Sequence, residues 1–198
     1  MKNRILMGLA TVAMVAFLVS CGKVPQAEID ATNAAIAAAQ AAEANVYLPA
    51  EFKALQDSMA AINTAVTAQE GKLFKKFAPV KEDLASTLAL ANQVAANAAV
   101  KKEEVKKEAE GILTSIKTVI AENLKLIPKL PKGKEGNEVI AQIKADMGTV
   151  DATVADAQAS FDKGAFMDAL NKVKAANDQA GKLNAEVKEV LTKARIRF

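Results

Sequence analysis

Histidine is absent from this chain of 198 residues, which removes the commonest general base and the commonest zinc and haem ligand. Neither a histidine-based catalytic triad nor the Glu-x-x-His pair of a di-iron bundle can be assembled. Cys21 is the single cysteine, so no disulfide can close within the chain. The densest group of carboxylates is Glu103, Glu104 and Glu108, with Lys101, Lys102, Lys106 and Lys107 standing among them. Three carboxylates without a closed cage hold a divalent ion weakly, and alternating acids and bases read as a solvated charge lattice on a helix. Asp151 and Asp156 fall on different faces of the helix expected there. The glycines occur singly, with no loop able to cradle a phosphate. The chain therefore reads as a non-enzyme, with no catalytic, cofactor-binding or metal-binding residue.

What remains chemically pointed is the position of Cys21. Lys2 and Arg4 precede an apolar run from Ile5 to Phe17, the layout of an export signal over residues 1–20. The run is shorter than the roughly 20 residues a bilayer-spanning helix needs. Leu18-Val19-Ser20-Cys21 resembles the box that precedes the modified cysteine of bacterial lipoproteins. The resemblance implies cleavage between Ser20 and Cys21, a thioether-linked diacylglycerol on Cys21, and usually a third, palmitate-type acyl chain on the new amino terminus. In enterobacterial lipoproteins an aspartate at the next position favours the inner membrane, so Gly22 implies the outer membrane, with the periplasmic side favoured over the cell surface. Residues 21–25 then form a tether of at most about 15 Å. The partner predicted first is a membrane, reached through the lipid on Cys21. Leaving out Lys2 and Arg4 lowers the formal charge from +3 to about +1, and a near-neutral surface argues against nucleic acid.

The element that must carry these residues is alanine-rich helix over residues 26–198. Hydrophobic residues make up 51% of the chain but aromatics only 4%, and alanine favours helices while burying little area. The fold class is all-α: an elongated antiparallel bundle of coiled-coil-like hairpins with one long central helix. A first helix is expected from about Pro25 to Val46. Pro49 opens a second, whose apolar positions Phe52, Leu55, Met59, Ile62 and Val66 alternate by three and four. Gly71 suits a tight hairpin turn at positive φ, with a third helix starting near Leu73 and Pro79 as a source of kinking. That helix carries Phe77, Val80, Leu84, Leu88 and Val94. If unbroken through residues 97–111 it is the spine, though Gly111 marks a possible interruption.

A loop over residues 128–136 follows, with Lys129, Lys132 and Lys134 offering a basic face to lipid headgroups or cell-wall polymer, or simply to solvent. Asn137 is the expected N-cap of the fourth helix, which carries Ile140, Ile143, Met147, Val150, Val154 and Phe161. Gly164 closes a second hairpin, and Phe166, Leu170, Val173, Leu183 and Val187 line the last helix. The residues after Gly71 and Gly164 follow a similar rhythm, a weak internal repeat of two αα units.

Tyr47-Leu48-Pro49-Ala50-Glu51-Phe52, with the alanine-rich helix before it and Gly71 after it, resembles an uncharacterised helical-hairpin family of alanine-rich bacterial envelope lipoproteins, over about residues 21–100. That family has no assigned activity, so no catalytic residue carries over. Phe161 to Leu170 is similar to the turn of a tetratricopeptide helix pair, without the rest of that signature. The function expected is a lipid-anchored scaffold or spacer that touches other envelope proteins or cell-wall polymer, a homo-oligomer being compatible with it. Two other functions stay open: a carrier with a hydrophobic ligand in an inter-helix groove lined by Met59, Met147, Phe161 and Phe166, and a surface-exposed adhesion lipoprotein.

Overall fold

Alanine sets the spacing in this protein, and one helix sets its length. A computed structural model describes residues 23–198, so the signal segment, Ser20, Cys21 and Gly22 lie outside the described residues. The described chain is all-α, and no strand occurs among the described residues. Its helices are α1 (Gln26–Ala41), α2 (Ala44–Tyr47), α3 (Pro49–Glu70), α4 (Ala78–Leu126), α5 (Lys134–Asp162) and α6 (Phe166–Lys193), with a 3-10 turn at Ile127–Lys129.

Helix α4 runs unbroken for 49 residues, about 74 Å at 1.5 Å per residue. It passes through Gly111 without interruption, and Pro79 sits in its first turn, where a missing N–H costs nothing. Its N-terminal half packs with α1 and α3, and its C-terminal half with α5 and α6. Both halves are up–down–up three-helix bundles. Glu28 and Glu43 of α1 and its C-terminal turn pair with Lys81 and Lys102 of α4, so α1 runs parallel to the spine. Lys174 and Lys188 of α6 pair with Glu108 and Glu122, so α6 is parallel to it as well. α3 and α5 return in the opposite sense.

The seams differ in chemistry. Where α1 meets α4, Ala39, Ala91 and Ala98 are fully buried, and small side chains let the backbones approach closely. Larger side chains fill the other side: Met59, Ile62 and Val66 of α3 against Val80 and Leu84. The C-terminal bundle gathers Leu113, Ile116, Ile143, Met147, Val150, Val173, Leu183, Val187 and Leu191. At mid-spine a smaller cluster joins the bundles: Tyr47, Val105, Ala109 and Leu170, flanked by Phe161, Phe166 and Met167.

Several boundaries differ from the sequence expectation. The first helix stops at Ala41 instead of continuing to Val46, because Glu43 takes a left-handed φ of 59° and α2 is a separate single turn. The kink swings Tyr47 against the spine, a long-range requirement that an alanine helix, with few side chains of its own to bury, does not resist. Gly71 has φ −74°, so that turn uses no positive φ. Leu73 does not begin a helix; it is 92% exposed in the turn before α4. The parallel between Leu73 and Phe166 therefore fails, while Phe77 and Val80 are buried as Leu170 and Val173 are. Helix α5 begins at Lys134 behind Gly133, and Asn137 lies in its first turn, donating its N–H to the Gly133 carbonyl at 2.8 Å.

Candidate functional site

The charged stretch 101–108, expected as a helix segment polar nearly all round, is the outside of the join between the bundles. Val105 and Ala109 face inward and are buried. Lys102 pairs with Glu43, Lys101 with Glu104 at 3.1 Å, and Glu108 with Lys174 at 2.6 Å. The ammonium groups of Lys102 and Lys106 lie 5.9 and 5.5 Å from the centre of the Phe166 ring, which itself tilts against Phe161 at 5.1 Å. Glu103, Glu104 and Glu108 are thus drawn to different lysines or left to solvent, and do not converge.

The Tyr47 phenol faces the backbone N–H groups of Phe166 and Met167 at the start of α6, an end with no side-chain cap of its own. Burial raises its pKa above 10.0, and the nearby Glu43 carboxylate adds to the rise. Glu43 in turn raises Lys102, mainly through their hydrogen bond. Both groups are therefore held protonated: Lys102 is no base and Tyr47 no nucleophile at neutral pH.

A second cluster was missed by the sequence reading. Lys172 donates to Ser160 Oγ at 3.0 Å and ion-pairs with Asp156 at 2.8 Å and Asp168 at 2.7 Å. Ser160 is 7% exposed and its hydroxyl has the Asp156 carbonyl at 3.0 Å and the Asp168 carboxylate at 2.7 Å as acceptors. A serine beside a lysine is a nucleophile and base only if the amine is neutral. Here Asp156 first and Asp168 second raise the Lys172 pKa. The cluster is a polar clasp around the Gly164 turn. Its signal in the sequence was paired i,i+4 spacing, Asp156 with Ser160 and Asp168 with Lys172, on either side of the glycine. Asp151 is exposed and takes no part.

Asn123 is the third polar group that sequence periodicity did not isolate. It is fully buried, donates to the Ala180 carbonyl at 3.0 Å and accepts from Asn184 at 2.7 Å. Those bonds satisfy it and set the register of α4 against α6.

The four side chains expected to line a ligand groove do not converge as one set: Phe161 and Phe166 meet, and Phe161 also packs on the cluster that holds Met147, but Met59 lies apart. Met59 belongs to the core of the N-terminal bundle, Met147 to that of the C-terminal bundle, and Phe161 and Phe166 to the join. A shallow open depression lies at the far end of the spine, lined by Ile127, Pro128, Lys132, Ile140 and Lys144. Leu130 is buried beneath this loop.

At the near end, Val24 packs against the cluster that holds Val66, Phe77 and Val80, and Glu28 pairs with Lys81, so residue 23 emerges toward the turn between α3 and α4. Among the described residues, no helix is long and apolar enough to cross a membrane. Fold and side chains together define an all-α protein of two three-helix bundles strung on a shared helix. The chain matches no protein family, no curated protein and no solved structure.

Proposed function

We propose that this is a non-enzymatic, lipid-anchored envelope lipoprotein in which a helical rod spaces or scaffolds other envelope components. The observation that carries the reading is the route of the chain. Residues leading to Cys21 leave from one end of a spine about 74 Å long, beside Val66 and Phe77, and not from its middle. An acyl group there would hold one end of the rod and leave its sides and far end free. The far end carries exposed Lys129, Lys132 and Lys144, which suit an anionic cell-wall polymer. On α6, Lys172 and Lys174 are matched by carboxylates, which supports contact through helix faces over chemistry at a site. The resemblance at Tyr47–Phe52 fits this architecture: Tyr47 fills the join, Pro49 opens α3 and Phe52 is buried.

The test is metabolic labelling of growing cells with a clickable fatty acid. The wild-type chain should take up label and float with membranes, and Cys21→Ser should lose both properties. An unlabelled wild-type chain would refute the anchor.

A further inference from the structure

The turn between α3 and α4 does not bury its apolar side chains. Leu73 is 92% and Phe74 81% exposed, whereas Val100, the next most exposed large apolar residue among those described, stands at 60%. Around them stand Lys72, Lys75 and Lys76, all exposed, and none belongs to an ion pair among the described residues. Glu70 is the single acid in the same turn. The turn is braced from below: the Lys76 N–H donates to Gln69 Oε1 at 3.2 Å, the Lys72 N–H donates to the Gln69 carbonyl at 3.1 Å, and Phe77 is buried under it. Leu73 and Phe74 are therefore held outward on a supported tip.

We propose that this tip is a membrane-docking wedge, with Leu73 and Phe74 entering the headgroup–acyl boundary of a bilayer and Lys72, Lys75 and Lys76 meeting its anionic headgroups. Two observations name the occupant. The first is charge: two large apolar side chains ringed by three lysines have the composition of an interfacial anchor. The second is where the chain outside the described residues begins. Val24 packs against the cluster that includes Phe77, the Glu28–Lys81 pair sets the start of α1 level with the start of α4, and the three links back to Cys21 reach at most about 11 Å. Whatever surface receives residue 21 lies within reach of Leu73 and Phe74. The inference rests on the anchor reading for its setting, and adds a second point of attachment that fixes the tilt of the rod.

The chain has no tryptophan, so Phe74→Trp supplies a single reporter at the tip and Lys129→Trp one at the far end. The full-length chain, produced in cells that process it, is reconstituted into vesicles of phosphatidylcholine and phosphatidylglycerol, with or without brominated acyl chains. Flotation is scored on the same samples. The F74W emission should shift to the blue and be quenched by the brominated lipid, while the K129W emission should match that in water. Replacing Lys72, Lys75 and Lys76 with Gln should weaken the F74W quenching in these anionic vesicles. A floating chain whose F74W emission stays water-like overturns the wedge and leaves the anchor standing. A blue-shifted but unquenched signal also overturns it, because a protein surface, such as a second copy, then covers the tip. A chain that neither floats nor quenches overturns both readings.

Discussion

Two hairpin glycines do different work in this protein. Gly164 has φ +80° and closes α5 with a paired set of bonds, from its own N–H to the Phe161 carbonyl and from the Ala165 N–H to the Ser160 carbonyl. An L side chain there costs about 1–2 kcal/mol, so Gly164→Ala should lower the urea midpoint. Gly71 has φ −74° with open space around it, and Gly71→Ala should raise stability by about 0.4–1 kcal/mol by narrowing the unfolded ensemble. Equal effects from the two substitutions would contradict the turn assignments. The Glu28–Lys81 pair at 3.0 Å gives a pH signature. The lysine hydrogen bond holds the Glu28 pKa below its ordinary 4.5. A depressed carboxylate contributes stability above the unfolded value and loses it as pH falls from there through the folded value. Glu28→Gln should therefore flatten the loss of stability below pH 4.5 relative to wild type, followed by thermal melts across that range. Identical acid limbs in the two proteins would rule the pair out as a contributor.

At the scale of elements, helix periodicity carries some positions and is silent on others. Phe52, Leu55, Met59, Ile62 and Val66 alternate by three and four in the sequence and all five are buried, because each faces one continuous seam. The end of α1 is not legible in the same way. Alanine at half the positions of α1 leaves no strong stripe to interrupt, and the break at Glu43 comes from the need to seat Tyr47 beside Val105, far away in sequence. Leu73 sits at a helical spacing from Phe77, yet the chain has not entered the helix there; spacing cannot distinguish a core leucine from one held outward by a turn. The Ser160–Lys172 clasp was hidden because its halves belong to different helices. Asn123 illustrates the same point in the core. Its partners lie on α6, and Asn123→Ala would leave the part-buried Asn184 amide without its acceptor. That substitution should cost about 1–3 kcal/mol in chemical denaturation, with the unfolding slope unchanged. No measurable loss would show that the buried amide does not hold the α4–α6 register.

For the molecule as a whole, the shared spine makes the two bundles one rod. α1 and α6 lie end to end along α4, and the Tyr47 phenol meets the start of α6 where they adjoin. The length of α4 was legible only as a possibility, since continuity through residues 97–111 was open and Gly111 marked a possible interruption. It continues because the join buries Val105 and Ala109 and pairs the surrounding charges. The account places the exit toward Cys21 and the Leu73–Phe74 tip at one end, and the loop after α4 at the other. A rod held at that end stands away from the surface that holds it. Neutron reflectivity from the chain as processed in cells, reconstituted on a supported bilayer, measures this directly. The account predicts protein density extending about 70 Å or more from the headgroups, the span of a helix of 49 residues. Density confined to a layer two or three helix diameters thick, about 20–35 Å, would mean that the rod lies flat and would contradict it.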